Sequence, residues 1–177
     1  YEQAEEFLPS FEDEPLIANM LRGRLLLAHG KAAEAIEALE EGIRLWPNNS
    51  VARSLVARAH AQVGDYDRAV MEYLEATRSD PTDRDAVFAL LDLLEDLGRD
   101  HEGAGVLERY WREKSTDPES LLRAISLADR TGQKRRFDGA VKRLGEIPSY
   151  RGALVAELAA IRAAAAGPGS AVGYIRN

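Results

Sequence analysis

The sequence predicts an all-α fold, an array of short helical hairpins stacked side by side, and three observations carry that prediction. Glycines recur at Gly30, Gly64, Gly98, Gly132 and Gly167, spaced 34, 34, 34 and 35 residues apart. Five residues after the first three come small residues, Ala35, Ala69 and Gly103, and four further on come large apolar ones, Leu39, Tyr73 and Leu107. Prolines close the first two units at Pro47 and Pro81, again 34 apart. A fixed period of this length marks a repeat architecture in which no unit buries its own apolar face, so neighbours stack into a continuous core.

Each element follows from local chemistry. Ser50 to Val63 reads as the first helix of a unit, because Val51, Leu55, Ala59 and Val63 fall four apart on one face. Gly64 ends it, since a residue without Cβ enters the left-handed C-cap conformation cheaply. Asp67 to Arg78 is the second helix, with Val70, Tyr73 and Leu74 as its apolar stripe. Ala69 sits where the two helices approach, and a larger side chain there would force the axes beyond packing distance.

Read this way, residues 1–15, "YEQAEEFLPSFEDEP", are the second helix of a partial preceding repeat, and 16–49 and 50–83 are complete units. The third, 84–118, has a Gly98-to-Pro118 distance of 20 where the first two have 17, which predicts a second helix about one turn longer. The fourth, 119–149, reads as degenerate, with a short first helix from Glu119 to Thr131, and with Ala140 and Leu144 eight and twelve residues past Gly132 instead of five and nine. Residues 150–177 form a partial fifth repeat and a tail; neither end shows a polar capping helix, as expected for a piece of a longer array.

The pattern resembles the tetratricopeptide repeat, whose period of about 34 residues runs W-x2-L-G-x2-Y, then A-x3-F, then P. Repeat 1 carries Gly23, Ala35, Leu39 and Pro47, with Leu26 in place of tyrosine. Repeat 2 carries Val56, Ala57, Ala69, Tyr73 and Pro81, with His60 at the tyrosine place, and repeat 3 carries Leu90, Leu91, Leu94, Gly98 and Leu107. The signature tryptophan is replaced by Asn19, Arg53 and Val87. The resemblance implies a right-handed superhelical α-solenoid of helix-turn-helix repeats that binds proteins rather than transforming them.

Composition narrows the classes further. Thirty acidic against 23 basic side chains leave a net charge of −7, a field that repels phosphate backbones, so nucleic acid is not an expected partner. The absence of cysteine removes disulfides and thiolate chemistry and leaves the compartment, cytoplasmic or periplasmic, undetermined. The longest near-apolar run, Ala153 to Ala166, is interrupted by Glu157 and Arg162 and is too short to insert in a membrane.

No catalytic, cofactor or metal site is legible, and the sequence predicts a non-enzyme. The histidines His29, His60 and His101 are never three to five apart as helical metal ligands would be. No nucleophile elbow or phosphate loop occurs; "GPGS" at 167–170 reads as a turn, and so does "NNS" at 48–50 despite matching a glycosylation acceptor. "QKRRFDGAVKR" collects Lys134, Arg135, Arg136, Lys142 and Arg143 as a basic surface or a seat for an acidic segment.

The resemblance also implies where a ligand lies, on the concave face lined by the first helix of each repeat. Carried over by position, that face holds Met20, Arg24 and Leu27, with Ile17, in repeat 1. Repeat 2 supplies Ser54, Arg58 and Gln62, with Val51 and Ala61, and repeat 3 supplies Phe88, Asp92, Glu95 and Asp96, with Asp85. Arginines on one place of two successive repeats and an acid on that place in the third suit a peptide or partner helix with one acidic and one basic end. Pairing of the arginines with Asp92 and its neighbours across the groove is the competing reading. The lysine and asparagine clamp by which one subfamily grips a chaperone's C-terminal carboxylate is absent, because Met20, Arg24, Leu55, Phe88 and Asp92 occupy its places. Two alternatives are an array that self-associates into a homo-oligomer through its apolar ends, and the non-catalytic region of a larger enzyme or of a secretion or assembly protein.

Overall fold

The computed structural model of the chain describes residue 11, residues 13–113 and residues 117–166. Among these residues there are nine α-helices, a 3-10 turn at Pro148–Tyr150, and no strand. The helices are α1 (Pro15–Ala28), α2 (Ala32–Leu45), α3 (Ser50–Gln62), α4 (Tyr66–Ser79), α5 (Arg84–Asp96), α6 (Asp100–Glu113), α7 (Pro118–Arg130), α8 (Lys134–Gly145) and α9 (Arg151–Ala166). They gather into two compact units, divided in the chain between Leu97 and Gly98. No helix is long and apolar enough to cross a membrane.

The recurring glycine has the conformational role its spacing implies. Gly30, Gly64, Gly98 and Gly132 hold φ of 73°, 83°, 68° and 65°, a region where a Cβ is strained; Gly167 lies outside the described residues. After α1 the amide of Lys31 donates to the Leu26 carbonyl at 2.9 Å and that of Gly30 to Leu27 at 3.2 Å, the paired bonds of a Schellman cap. Gly64 and Gly132 repeat it, with Asp65 donating to His60 at 2.9 Å and Gln133 to Ala128 at 2.8 Å. The first helices α3 and α5 start on side-chain caps: Asn49 accepts from the Ala52 amide at 2.9 Å and Asp83 from Ala86 at 3.1 Å. Asn49, in the "NNS" triplet, is thus a helix N-cap.

In the first unit α1 pairs with α2 and α3 with α4, and α5 packs on α4. The first helices α1, α3 and α5 touch in succession and make one layer, with α2 and α4 packed against it. The small and large residues of the period meet between the layers: Ala35, Leu39 and Ala69 are wholly buried and Tyr73 nearly so, with Leu27, Ala32, Leu55, Val56 and Ala59 in the same core. Two signature places are filled by other chemistry. Arg53, at a tryptophan place, makes a half-buried ion pair with Glu72 at 2.6 Å and donates to the Pro47 carbonyl at 2.8 Å. His60, at a tyrosine place, is buried, with its Nδ1 3.6 Å from the Asp65 carboxylate.

In the second unit α6 packs on α7, α7 pairs with α8, and α9 lies against α7 and α8. One boundary and one length expectation are corrected. Pro118 does not close the third repeat but opens α7, twenty residues after Gly98, the same offset that separates Gly30 from Ser50 and Gly64 from Arg84. Proline suits the first helical position, where its missing N–H has no partner to lose. The first helix of the fourth repeat is accordingly not short: at 13 residues it equals α3 and α5. Through Glu113, α6 has the 14 residues of α2 and α4, and the remainder of its expected extra turn falls on 114–116, outside the described residues. The fourth unit differs in which face packs. Ala140 and Leu144 are buried while Phe137 and Val141, at the usual places, are only half-buried. Most of the expected helix over 1–15 also lies outside the described residues.

Candidate functional site

The layer of first helices carries an open groove of about 330 Å3. Arg24 on α1, Val51, Ser54, Leu55 and Arg58 on α3, Tyr73 on α4, and Asp83, Asp85, Ala86 and Ala89 at the start of α5 line it. Its floor is apolar, from Leu55, Ala86, Ala89 and the Tyr73 ring; its rim is charged. The helical period accounts for this composition: Ser54 and Arg58 stand one turn apart on α3, and Asp83 is brought to the rim because it caps α5.

Arg24 and Arg58 are exposed, and neither forms an ion pair among the described residues, so the competing reading of pairs closed across the groove finds no support there. The Ser54 hydroxyl oxygen is buried with no hydrogen-bond partner. Tyr73, 6% exposed, sits within the field of both charge signs: burial pushes its phenol above the ordinary 10.0, Arg58 pulls it back and Asp92 pushes it up again.

The other predicted contacts separate. Leu27 is 3% exposed and belongs to the core, because it packs under Ala32 and Leu39 at the closed end of the hairpin. Phe88 is buried with the Arg84 guanidinium stacked 4.3 Å above its ring centroid. Met20 is half-buried against the core and its Sδ accepts from Asn49 Nδ2 at 3.8 Å. Gln62 is exposed but lines a separate surface beside Gly30 and Lys31. Asp92 and Asp96 are exposed and Glu95 half-buried on α5, outside the lining of the groove. The residues the sequence reading did not place at the site are Tyr73, Asp83, Ala86 and Ala89. Asp83 was recoverable as the N-cap of the third repeat, whereas Tyr73 reads as core by every periodic criterion and reaches the groove floor only through packing.

A family model described as the tetratricopeptide repeat matches residues 26–94, which span the core of the first unit and most of the groove. This stretch is a tetratricopeptide-repeat array. The all-helical fold of the chain is shared by solved structures. MamA from Desulfovibrio magneticus RS-1 is 17% identical and superposes with a TM-score of 0.68 over 92% of this chain and 92% of that one. YrrB, described as a TPR protein with an unusual peptide-binding site, is 15% identical with a TM-score of 0.69 over 97% of this chain and 90% of its own. A tetratricopeptide repeat protein from Parabacteroides merdae is 13% identical with a TM-score of 0.70 over 84% of this chain and 59% of its own. At these identities the likeness is one of fold. No curated relative matches the chain. Among the described residues no group of three or more histidine, aspartate or glutamate side chains could hold a metal ion.

Proposed function

We propose that the tetratricopeptide-repeat array is a protein-interaction module that docks a peptide segment or helix of a partner in the groove between α1, α3 and α5, for assembly, localisation or regulation, without chemistry of its own. The observation that carries this reading is the groove itself: an apolar floor with a polar rim, built on stacked helices that need no ordering before a partner enters. The description of YrrB as a peptide-binding TPR protein supports it by analogy of fold.

The test is selection of peptides from a displayed library on the full chain, followed by groove filling. Ala89→Trp and, separately, Val51→Trp at a position 39% exposed place a bulky ring in the groove. Selected peptides should lose binding to both variants while circular dichroism and melting temperature hold. Peptides that bind both as well as the parent chain would place docking elsewhere, and failure to select any peptide would overturn the reading.

A further inference from the structure

We infer that the groove selects a peptide with an acidic side chain followed, about four residues on, by a basic one, seated obliquely from α3 to α5; this rests on the docking function proposed above. The first argument is electrostatic. Residues 1–97 hold nine lysines and arginines and twenty acids, a net −11, so carboxylates outnumber cations there. Lys31, Arg44, Arg53, Arg68 and Arg78 all stand within ion-pair distance of one. Among the described residues Arg22, Arg24 and Arg58 do not, and of these Arg24 and Arg58 line the same groove on successive repeats. In so acidic a unit, two cations that line one groove without a carboxylate partner among the described residues are arranged for an anion from outside.

A second observation falls in the same place. Ser54 lies one helical turn before Arg58, lines the groove, and has a hydroxyl oxygen buried without a hydrogen-bond partner. A buried hydroxyl left unsatisfied is costly, and a carboxylate between the arginines is the acceptor that this donor and the two guanidinium forks would share. Across the groove the sign reverses. Asp85 is exposed in the first turn of α5, and no carboxylate-to-cation contact engages it among the described residues. Asp83 beside it is occupied, accepting from the Ala86 amide at 3.1 Å and from the Ser50 hydroxyl at 3.3 Å, so Asp85 is the seat for the cation.

The spacing follows from the scaffold. Packed helix axes lie about 8–10 Å apart, and Asp85 stands seven residues, about 10 Å, nearer the start of its helix than Arg58. The step from the arginine seat on α3 to Asp85 on α5 is therefore about 13–15 Å. An extended segment advances about 3.3 Å per residue, which separates the acid from the base by about four residues.

The experiment uses the full chain and a library of random peptides displayed as internal loops, so that no free terminus is offered and only side-chain carboxylates can fill the anion seat. The expected result is enrichment of Asp or Glu followed about three to five residues later by Lys or Arg, a window set by the same geometry. Binding of the enriched peptides should fall about tenfold or more in Arg24→Ala with Arg58→Ala, and should fall also in Asp85→Ala. All three positions are exposed, so folding is preserved and circular dichroism confirms it. Peptides that bind in the groove, shown by sensitivity to Ala89→Trp, yet lack the acid or ignore loss of the arginines would overturn this inference while leaving the docking function intact. No enrichment at all would overturn both.

Discussion

Gly23 and Leu39 touch so closely that a Cβ on Gly23 would lie 2.3 Å from Leu39 Cγ. The glycine of α1 is therefore the other half of the packing that Leu39, wholly buried, makes from α2. Gly23→Ala should destabilise the chain by about 1–3 kcal/mol through overpacking, in spite of alanine's better helix propensity. Gly105, inside α6 with nothing within 4 Å of an added Cβ, is the matched control. Gly105→Ala should stabilise by roughly 0.5–1 kcal/mol. Urea-denaturation midpoints for the two variants should move in opposite directions.

The small residue of the period is buried in both the second and the fourth hairpins but at different places, Ala69 on α4 and Ala140 on α8. Ala69→Trp and Ala140→Trp are each expected to cost roughly 1–3 kcal/mol or more. Gly139→Ala, at an exposed neighbour with open space around it, should not destabilise. Thermal melts that rank Ala140→Trp with Gly139→Ala would contradict the packing face assigned to α8.

Asn49 holds the start of α3 by accepting from the Ala52 amide and reaches back to Met20 through its Nδ2. Asn49→Ala should cost about 1 kcal/mol, whereas Asn49→Asp should retain the cap and most of the stability. The same denaturation assay separates them.

Tyr73 carries the pH dependence. Its phenol is held above 10.0 in the folded chain, chiefly by burial, so the unfolded chain ionises first as pH rises. The folded state then binds the extra proton, and stability declines once pH climbs through 10.0 towards the folded value. The melting temperature of the parent chain should therefore fall more steeply between about pH 9 and about pH 11 than that of Tyr73→Phe. Parallel slopes would show that this phenol titrates alike in both states.

The hairpin array was legible from the sequence because its determinants are local and repeat. A left-handed glycine, a small residue at the helix crossing and an apolar stripe act within one turn or one hairpin, so their spacing alone specifies α1 to α5 and the turns between them. Pro118 shows the limit of such reading, since proline is equally at home just after one helix and at the first position of the next. Only the offset of α7 from Gly98 decides between them.

The groove divides along the same line. Arg24, Ser54 and Arg58 were legible because the repeat register carries them onto the groove side of the first helices. Whether a side chain there is free or spent depends on what packs over it, which no periodicity encodes. Leu27 and Phe88 went to the core and Met20 to a contact with Asn49, while Tyr73, a core residue by pattern, came through to the groove floor. Sequence by itself determined the elements, since hydrogen bonds and backbone strain act over a few residues. Tertiary structure alone decided the site, because burial and pairing are properties of neighbours brought together from different repeats.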